Sequence, residues 1–472
     1  MAAMALLCAL LHSLFLLLLA FDAQEDPVGL TSSCPTARFG SLCTSFDPAN
    51  LDVNPDDIQD SIDKLATFSD TPAPSVTRIL YTDNDVAARS FIRELMESAQ
   101  LTVREDAIGN IFGRWEGSEP SQGVVASGSH TDAIPYAGKY DGVVGVVGAV
   151  EAIKALRRAG FQPKRSLEAI MFTSEEPTRF GLSCIGSRVM AGDPRVAVSL
   201  ANAVDEDNVT FTLAANRAGY DEAGDNLQSV AVGNETYAAF VELHIEQGPL
   251  LEEQGVSIGI VTAIAGPASL GVEFAGGGGH AGAVLMHLRN DAGLAAAELA
   301  LAVERHVLES GSQDTVGTTG TVKLYPGAIN SIPRNAQLGI DIRDIDGSRR
   351  DAVVERVRAT AHEIAARRGV VLQNFTVVNQ DPPAQSTDFV IEALKEASEE
   401  LGLGHKMMIS RAYHDSLFMA RIAPTAMIFI PCYRGYSHRP DEHATLEDMA
   451  NGVRVLALTL SKLSSNWQAP LE

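Results

Sequence analysis

Basic residues are scarce in this chain, which has 36 Lys and Arg against 60 Asp and Glu and a formal net charge of −24. Proteins that bind the phosphate backbone of nucleic acids carry a basic patch or stripe. No segment of the sequence resembles such a stripe. We therefore expect no nucleic-acid partner.

Cysteine is also rare, with five residues in a chain of 472. Cys8 lies in an apolar N-terminal segment, and the other four are Cys34, Cys43, Cys184 and Cys432. Four cysteines do not make a disulfide scaffold for a chain of this length, and their spacing matches no zinc knuckle. A small disulfide loop between Cys34 and Cys43 stays open as an alternative in an oxidising compartment.

The N-terminus carries a long apolar run, MAAMALLCALLHSLFLLLLAF, and the first basic residue is Arg38. We interpret residues 1–23 as a signal peptide, whose removal leaves no stable membrane anchor. The expected destination is the secretory pathway, and within it the lumen of the endoplasmic reticulum. Sequons at Asn208, Asn234 and Asn374 are then candidate glycosylation sites.

The remaining sequence predicts an α/β protein of two domains. Residues 24–54 are rich in Pro, Ser, Asp and Gly, which indicates a flexible lead-in. Residues 55–263 and 381–472 alternate short apolar strands with amphipathic helices, as expected of a mainly parallel sheet that carries the catalytic site. Residues 264–380 follow the order strand, helix, two strands, helix, strand, which predicts an inserted ferredoxin-like βαββαβ domain.

Imidazole and carboxylate side chains recur where the predicted catalytic strands end. His130 closes the strand GVVASGSH, and Glu176 follows the strand SLEAIMF. Asp141 lies in a Gly-flanked loop, His244 in ELHIEQG and His438 in YSHRPDE. Ligands collect at the carboxyl ends of strands in open α/β sheets, and these donor types suit Zn, Mn, Co or Ni. The five residues predict a two-metal hydrolytic centre.

Three further residues fit supporting roles in such a centre. Asp132 shares a strand face with His130 and can hydrogen-bond its ring. Glu175, next to the ligand Glu176, can take a proton from the attacking water and pass it to the leaving nitrogen. The amide of Gln247 can orient a polar substrate. Each motif alone fits an ordinary strand end, a solvated acidic loop or a core histidine, and the complete set favours metal.

The segments ELHIEQGPLLE and GGGGHAGA resemble a known family. The chain is similar to the M20-type metal-dependent amidohydrolases, in the branch that contains allantoate amidohydrolase, N-carbamoyl-L-amino-acid hydrolase and β-ureidopropionase. The resemblance extends from about Ile58 to Leu463. It implies a homodimer with a Mn²⁺ pair in each subunit, for which Zn²⁺, Ni²⁺ or Co²⁺ are alternatives.

The resemblance also implies a role for each metal ligand. His130 and His244 would hold one ion, Glu176 and His438 the other, and Asp141 would bridge the two. A non-catalytic binding module on the same fold is a rival interpretation. The presence of a general base, expected at position 175, argues against that rival, because a binding module has no use for one.

In members of this family the inserted domain dimerises and closes over the substrate. The resemblance therefore implies that His280 of GGGGHAG and Asn330 of GAINSIP enter the site, from the partner subunit, together with Arg343 of DIRD. His280 would stabilise an oxyanion, and Arg343 offers a planar fork that suits a carboxylate. Tyr413 and His414 of RAYHDS are also expected to contact substrate.

Two positions bear on the substrate. Leu285 stands where allantoate-type members tend to have proline, and Tyr413 replaces a small residue. Both resemble the members that act on ureidoglycolate, for which a bulkier wall suits a smaller molecule. The expected reaction is hydrolysis of (S)-ureidoglycolate to glyoxylate, ammonia and CO₂, as in purine catabolism. Allantoate is the first alternative substrate, and N-carbamoyl amino acids are a more distant one.

Overall fold

The computed structural model describes residues 46–223 and 226–465. The predictions for residues 1–23, including Cys8, and the possible Cys34–Cys43 pair lie outside this part of the chain. Within the described ranges, no helix is both long and apolar enough to cross a membrane.

Seventeen strands and twelve α-helices build the described chain. The strands are β1 (Val76–Arg78), β2 (Thr102–Glu105), β3 (Ile111–Trp115), β4 (Val124–His130), β5 (Ala133–Ala137), β6 (Leu167–Phe172), β7 (Tyr237–Ile245), β8 (Ile258–Ile264), β9 (Gly266–Ala275), β10 (Gly279–His280), β11 (Val316–Tyr325), β12 (Ser331–Ile332), β13 (Asn335–Asp344), β14 (Val371–Gln380), β15 (Ala384–Gln385), β16 (His405–Ser410) and β17 (Thr425–Ile430). The α-helices are α1 (Pro55–Ala66), α2 (Asp83–Ser98), α3 (Val143–Arg158), α4 (Ile185–Met190), α5 (Pro194–Ala201), α6 (Phe211–Arg217), α7 (Leu250–Gln254), α8 (Ala292–Leu308), α9 (Gly347–Arg368), α10 (Asp388–Glu400), α11 (Ser416–Met419) and α12 (Leu446–Ser464). Short 3₁₀ turns cover Pro48–Asn50, Pro120–Gln122, Leu227–Val230, Met286–Leu288 and Tyr433–Gly435.

The larger sheet has nine strands in the order β15-β8-β17-β7-β4-β6-β3-β2, with β16 also paired to β8. Its four central strands, β17, β7, β4 and β6, run parallel to one another. Antiparallel pairs flank them on both sides. Strands β4, β6, β7 and β17 are buried along nearly their whole length, and their sequences show no regular alternation of apolar and polar residues. The carboxyl ends of these four strands meet at one edge of the sheet.

Helix α3 covers the centre of this sheet. Its first eight residues, Val143–Val150, are all Val, Gly or Ala, and all are buried. Gly145 lets the helix approach β7 closely, since a Cβ there would lie 2.4 Å from the carbonyl oxygen of Leu243. The close packing fixes the start of the helix, and with it the preceding loop that carries Asp141, against the carboxyl ends of the strands.

The smaller sheet has the strand order β11-β13-β9-β14, and its pairs are all antiparallel. Strand β13 alternates buried and partly buried residues along its length, so one face of this sheet packs under α8 and α9 while the other stays partly open. The chain order is β9, α8, β11, β13, α9, β14, which is the βαββαβ unit expected for this segment. The predicted fold class is confirmed, and the domain boundaries stay predictions.

The described chain begins inside the segment that the sequence suggested was a flexible lead-in. Phe46 packs edge-on against Phe161, with ring centroids 5.1 Å apart. Leu51 and Val53 are buried in the core of the larger sheet. Packed structure therefore starts several residues before α1, because these three apolar side chains find partners on the helical layer.

Candidate active site

Four of the five predicted metal ligands lie at the carboxyl edge of the parallel strands. His130 is the last residue of β4, and His244 is the penultimate residue of β7. Glu176 follows β6 after a short turn, and His438 lies in the loop that leaves β17. Asp141 reaches the same edge from the loop before α3. The sheet therefore brings together the residues that the sequence predicted as ligands.

The carboxylate of Asp141 is shared between two groups of side chains. Its Oδ1 lies 3.1 Å from Nε2 of His244 and 3.8 Å from Nε2 of His130. Its Oδ2 lies 3.2 Å from Nε2 of His438, which is itself 3.1 Å from Oε1 of Glu176. In each group the ligand atoms lie within 4.8 Å of one another. This is the arrangement of a carboxylate between two cation positions.

Backbone carbonyl groups set the tautomers of the two buried histidines. Nδ1 of His130 lies 3.1 Å from the carbonyl oxygen of Asp132, and Nδ1 of His244 lies 2.9 Å from that of Ile245. A carbonyl oxygen only accepts, so both Nδ1 atoms carry hydrogen. Both Nε2 atoms therefore keep a lone pair available to a metal ion whenever the rings are neutral.

The carboxylate of Asp132 positions the two neighbouring acids as well as a ring. It accepts hydrogen bonds from the backbone amides of Glu175 at 3.1 Å and Glu176 at 3.0 Å. Its Oδ1 is 3.4 Å from Nδ1 of His130. One side chain thus ties the end of β4 to the turn after β6, which is more than the ring contact the sequence predicted.

Charge balance in the site favours cations. Burial disfavours charge on Asp141, yet hydrogen bonds from His244 and His438 hold its pKa well below the usual range. Hydrogen bonds to Asp141 and Glu176 raise the pKa of His438 to about 11. The buried acids around His438 thus favour positive charge at this position. Divalent cations fit the same positions, because imidazole and carboxylate are their ligands once those protons leave.

A cavity of about 190 Å³ opens beside these groups. All five predicted ligands line it, together with Glu175, Gln247, Arg343 and Tyr413. Arg343 reaches it from β13 of the smaller sheet, and donates a hydrogen bond of 3.0 Å to the carbonyl oxygen of Arg411. Nε2 of Gln247 donates to Asp141 at 2.8 Å, while its Oε1 is buried without a partner in the described chain. That oxygen is an acceptor that no group of the described chain uses.

Four residues that the sequence analysis linked to the substrate do not line this cavity. His280 and Asn330 are exposed and lie together at the short antiparallel pair of β10 and β12, where the backbone carbonyl of Asn330 accepts a hydrogen bond of 2.9 Å from the amide of Ala281. Leu285 is exposed on the same segment. His414 is buried behind His244, with ring centroids 4.6 Å apart, and its Nε2 is 2.9 Å from the hydroxyl of Ser410. His414 therefore supports a ligand in this chain and does not face the cavity.

Two residues that the sequence analysis did not single out hold Asp141. The carboxylate of Glu442 accepts hydrogen bonds from the amides of Tyr140 and Asp141, at 2.8 and 2.9 Å. The hydroxyl of Ser437 donates to Oδ2 of Asp141 at 2.6 Å. Both lie close to His438 in one loop. An acid and a hydroxyl so near a predicted ligand could have pointed to them in the sequence.

An open α/β sheet with imidazoles and carboxylates gathered at the ends of its parallel strands is typical of a metal-dependent hydrolase. The model of peptidase family M20/M25/M40 matches residues 126–462, and the chain belongs to this family.

Curated relatives and solved structures agree with this assignment. The chain is 64% identical over 412 residues to a ureidoglycolate hydrolase of Oryza sativa subsp. japonica, covering 87% of this chain and 85% of that protein. It is 62% identical over 429 residues to a ureidoglycolate hydrolase of Arabidopsis thaliana, covering 90% of each. The crystal structure of AtUAH in complex with (S)-hydroxyglycine aligns with a TM-score of 0.84 at 63% identity, and covers 89% of this chain and 100% of that one.

AtUAH has also been solved in complex with glyoxylate, with the same TM-score of 0.84. The allantoate deiminase of Arabidopsis thaliana is a more distant relative, 31% identical over 427 residues that cover 85% of this chain and 81% of that protein. The chain is therefore about twice as similar in identity to the ureidoglycolate hydrolases as to the enzyme named for allantoate.

We predict that Gly142→Ala abolishes metal binding. Gly142 has a φ of +66°, and a Cβ there would lie 2.3 Å from Nε2 of His130, the atom that faces the cation position. Gly160→Ala is the matched control, because Gly160 has a φ of +75° but open space around its Cβ position. Both variants carry a backbone cost of roughly 1 kcal/mol. Metal analysis of the purified proteins checks this, and a metal-replete Gly142→Ala protein would contradict it.

Proposed function

We propose that this chain hydrolyses (S)-ureidoglycolate to glyoxylate, ammonia and CO₂, with Mn²⁺ as its resident metal. The observation that carries the proposal is a carboxylate shared between two ligand groups beside a small cavity that also receives a guanidinium. These features occur in a chain 62–64% identical to two proteins named ureidoglycolate hydrolase. The alternative substrate within the family, allantoate, carries a second ureido arm for which a small cavity leaves less room.

His130 and His244 would hold one cation, Glu176 and His438 the other, and Asp141 would bridge them. When bound, such a pair supplies Lewis acidity and lowers the pKa of water. The assignment follows the two groups of ligand atoms around Asp141. Manganese is the proposed ion, and Zn²⁺, Ni²⁺ and Co²⁺ suit the same donors.

Glu175 is the proposed general base. Its Oε2 lies 3.9 Å from Nε2 of His130, so the carboxylate faces the cation position without belonging to either ligand group. Burial raises the pKa of Glu175 well above its usual value, and His130 opposes this rise. A carboxylate with a raised pKa can take a proton from the attacking water and return it to the leaving nitrogen.

Arg343 and Gln247 are proposed to orient the substrate. The guanidinium of Arg343 suits the substrate carboxylate, and the unpartnered Oε1 of Gln247 can accept a hydrogen bond from a ureido N–H or the hydroxyl. Hydrolysis of the ureido group then leaves hydroxyglycine and carbamic acid. Carbamic acid decomposes to CO₂ and ammonia, and hydroxyglycine loses ammonia to give glyoxylate.

We also propose that the protein acts as a homodimer through its inserted domain. Strand β11 is an edge of the smaller sheet, and its C-terminal half is exposed along with Ile329 and Leu285 beyond it. An exposed edge strand that is followed by an exposed apolar residue, Ile329, suits pairing with a second copy. We propose that His280 and Asn330, which are exposed at the β10–β12 pair, complete the site of a partner subunit and not that of their own chain.

The proposed location is the secretory pathway, most specifically the lumen of the endoplasmic reticulum. The apolar N-terminal sequence is the main support. Each of the three sequon asparagines, Asn208, Asn234 and Asn374, is exposed, as glycosylation in that compartment requires.

The first prediction separates proton transfer from metal binding. Glu175→Gln should keep both metal ions and lower kcat by roughly 100- to 10,000-fold, because only the proton acceptor is lost. Asp141→Ala should lose metal and activity together, because it removes the ligand that both groups share. Metal analysis and steady-state kinetics on both variants decide the matter, and near-normal turnover by Glu175→Gln would refute its role as base.

The second prediction tests whether the partner subunit contributes to the site. Mixing inactive His280→Ala and Glu175→Gln subunits should restore activity, because each hybrid dimer regains one intact site. A mixture of Glu175→Gln with Asp141→Ala is the control, since both changes lie in the catalytic domain and no intact site can form. If the first mixture stays inactive while subunits demonstrably exchange, His280 acts within its own chain or plays no part.

The third prediction concerns the substrate. The Mn²⁺-loaded protein should hydrolyse ureidoglycolate with a kcat/KM at least tenfold above that for allantoate, because the smaller molecule fits the cavity without displacing its wall. Ammonia release from both substrates, measured under the same conditions, gives the comparison. Equal or greater efficiency on allantoate would assign the chain to that substrate and leave the metal mechanism in place.

A further inference from the structure

Tyr413 forms one wall of the cavity, and its hydroxyl group is fully engaged elsewhere. The hydroxyl donates a hydrogen bond to Oδ2 of Asp381 and accepts two, from Arg188 at 3.0 Å and from Asn379 at 3.1 Å. A phenol has one hydrogen to donate and two lone pairs to accept with. The hydroxyl therefore has no capacity left for a substrate, and Tyr413 offers the cavity its ring.

Asp381 anchors this arrangement. It is fully buried and accepts two hydrogen bonds from Arg188, at 3.1 and 2.9 Å, and one from Arg421 at 2.9 Å. Burial disfavours its charge, but Arg188 and the Tyr413 hydroxyl hold its pKa below the usual range. The guanidiniums of Arg188 and Arg421 also lie over the ring of Phe418, at 4.2 and 4.4 Å. Charge pairing and packing together hold the anchor rigidly.

The ring of Tyr413 is also held by Phe418. It stacks on Phe418, with ring centroids 6.0 Å apart and planes inclined by 27°. Rotation of the Tyr413 side chain would break this stack and three hydrogen bonds at once. The wall is therefore rigid for a reason that lies outside the cavity.

The anchor stands where the chain passes between the two sheets. Asn379 belongs to β14, and the amide of Asp381 donates a hydrogen bond of 3.1 Å to the carbonyl oxygen of Pro267 in β9. The carbonyl oxygen of Asp381 in turn accepts a hydrogen bond from Arg350. Arg188, by contrast, comes from α4 beside the larger sheet. The Tyr413 hydroxyl thus accepts one hydrogen bond from Asn379 in the smaller sheet and one from Arg188 on a helix beside the larger sheet.

We propose that Arg188 and Asp381 are positioning residues that hold the ring of Tyr413 as a fixed wall and thereby restrict the cavity to small ureido acids. The inference rests on the proposed function, since it concerns selection among ureido substrates. Neither residue lines the cavity. They act on the position of the ring through their hydrogen bonds to the hydroxyl of Tyr413. Because Asn379 of the inserted domain also donates to this hydroxyl, the position of the ring depends on the position of that domain.

Tyr413→Phe tests the proposal, because it keeps the ring and removes only its anchor. The ratio of kcat/KM for ureidoglycolate to that for allantoate should fall about tenfold, mainly through faster hydrolysis of allantoate. Tyr237→Phe is the matched control. The hydroxyl of Tyr237 donates to the buried carboxylate of Glu168 at 2.8 Å, a carboxylate that Arg114 also contacts, at the opposite edge of the larger sheet. The control should lower the melting temperature and leave the ratio unchanged.

Asn379→Ala distinguishes anchoring from direct substrate binding. It removes one hydrogen bond to the hydroxyl without altering the ring, so it should shift the ratio in the same direction as Tyr413→Phe and by less. If Tyr413→Phe only loses activity on ureidoglycolate while Asn379→Ala is unchanged, the hydroxyl binds substrate and the proposal is wrong. If Tyr413→Phe and Tyr237→Phe lower the melting temperature alike and neither shifts the ratio, the network is purely structural and the proposal is also wrong.

The result stays interpretable if the substrate assignment fails. Should the wild-type protein prefer allantoate or an N-carbamoyl amino acid, the same variants are compared on a smaller and a larger ureido acid that it does hydrolyse. A change in the size preference of Tyr413→Phe, absent from Tyr237→Phe, would support the fixed wall independently of which acid is the natural substrate. An unchanged size preference would overturn it.

Discussion

The division of one carboxylate between two sets of ligands is the constraint on which the rest of the site depends. Asp141 places one oxygen toward His130 and His244 and the other toward His438. Such a side chain must be held in two directions, and the structure does so with the carboxylate of Glu442, the hydroxyl of Ser437 and the side-chain amide of Gln247. The distances from Asp141 to the surrounding histidines decide which of the two cation positions each histidine can reach.

The fold supplies that geometry by packing. A helix whose first eight residues are all Val, Gly or Ala lies close over the parallel strands, so the loop before it ends at their carboxyl edge. Asp132 then ties the end of β4 to the turn after β6. Burying several like charges together is costly, and cations at the two ligand groups would offset that cost. The inserted domain adds Arg343 to the cavity and, through Asn379, reaches the wall that bounds it.

Sequence reasoning identified the parts of the site that follow from strand ends. His130 and Glu176 were predictable because parallel strands deliver their last residues to one edge. The inward position of His414 was not, since a residue after a strand can turn either way and its neighbours in space come from distant segments. Glu442 was missed because its partners are backbone amides more than 300 positions away in sequence. His280, Asn330 and Leu285 lie outside the cavity of their own chain, which the linear pattern cannot reveal.

The most direct test of the account is anomalous X-ray diffraction from crystals of the Mn²⁺-loaded protein. We expect two Mn²⁺ peaks in each subunit, roughly 3.5–4 Å apart, with the carboxylate of Asp141 between them. His130 and His244 should contact one peak, and Glu176 and His438 the other. A single peak, or a second ion bound without Asp141, would contradict the shared carboxylate and the mechanism built on it.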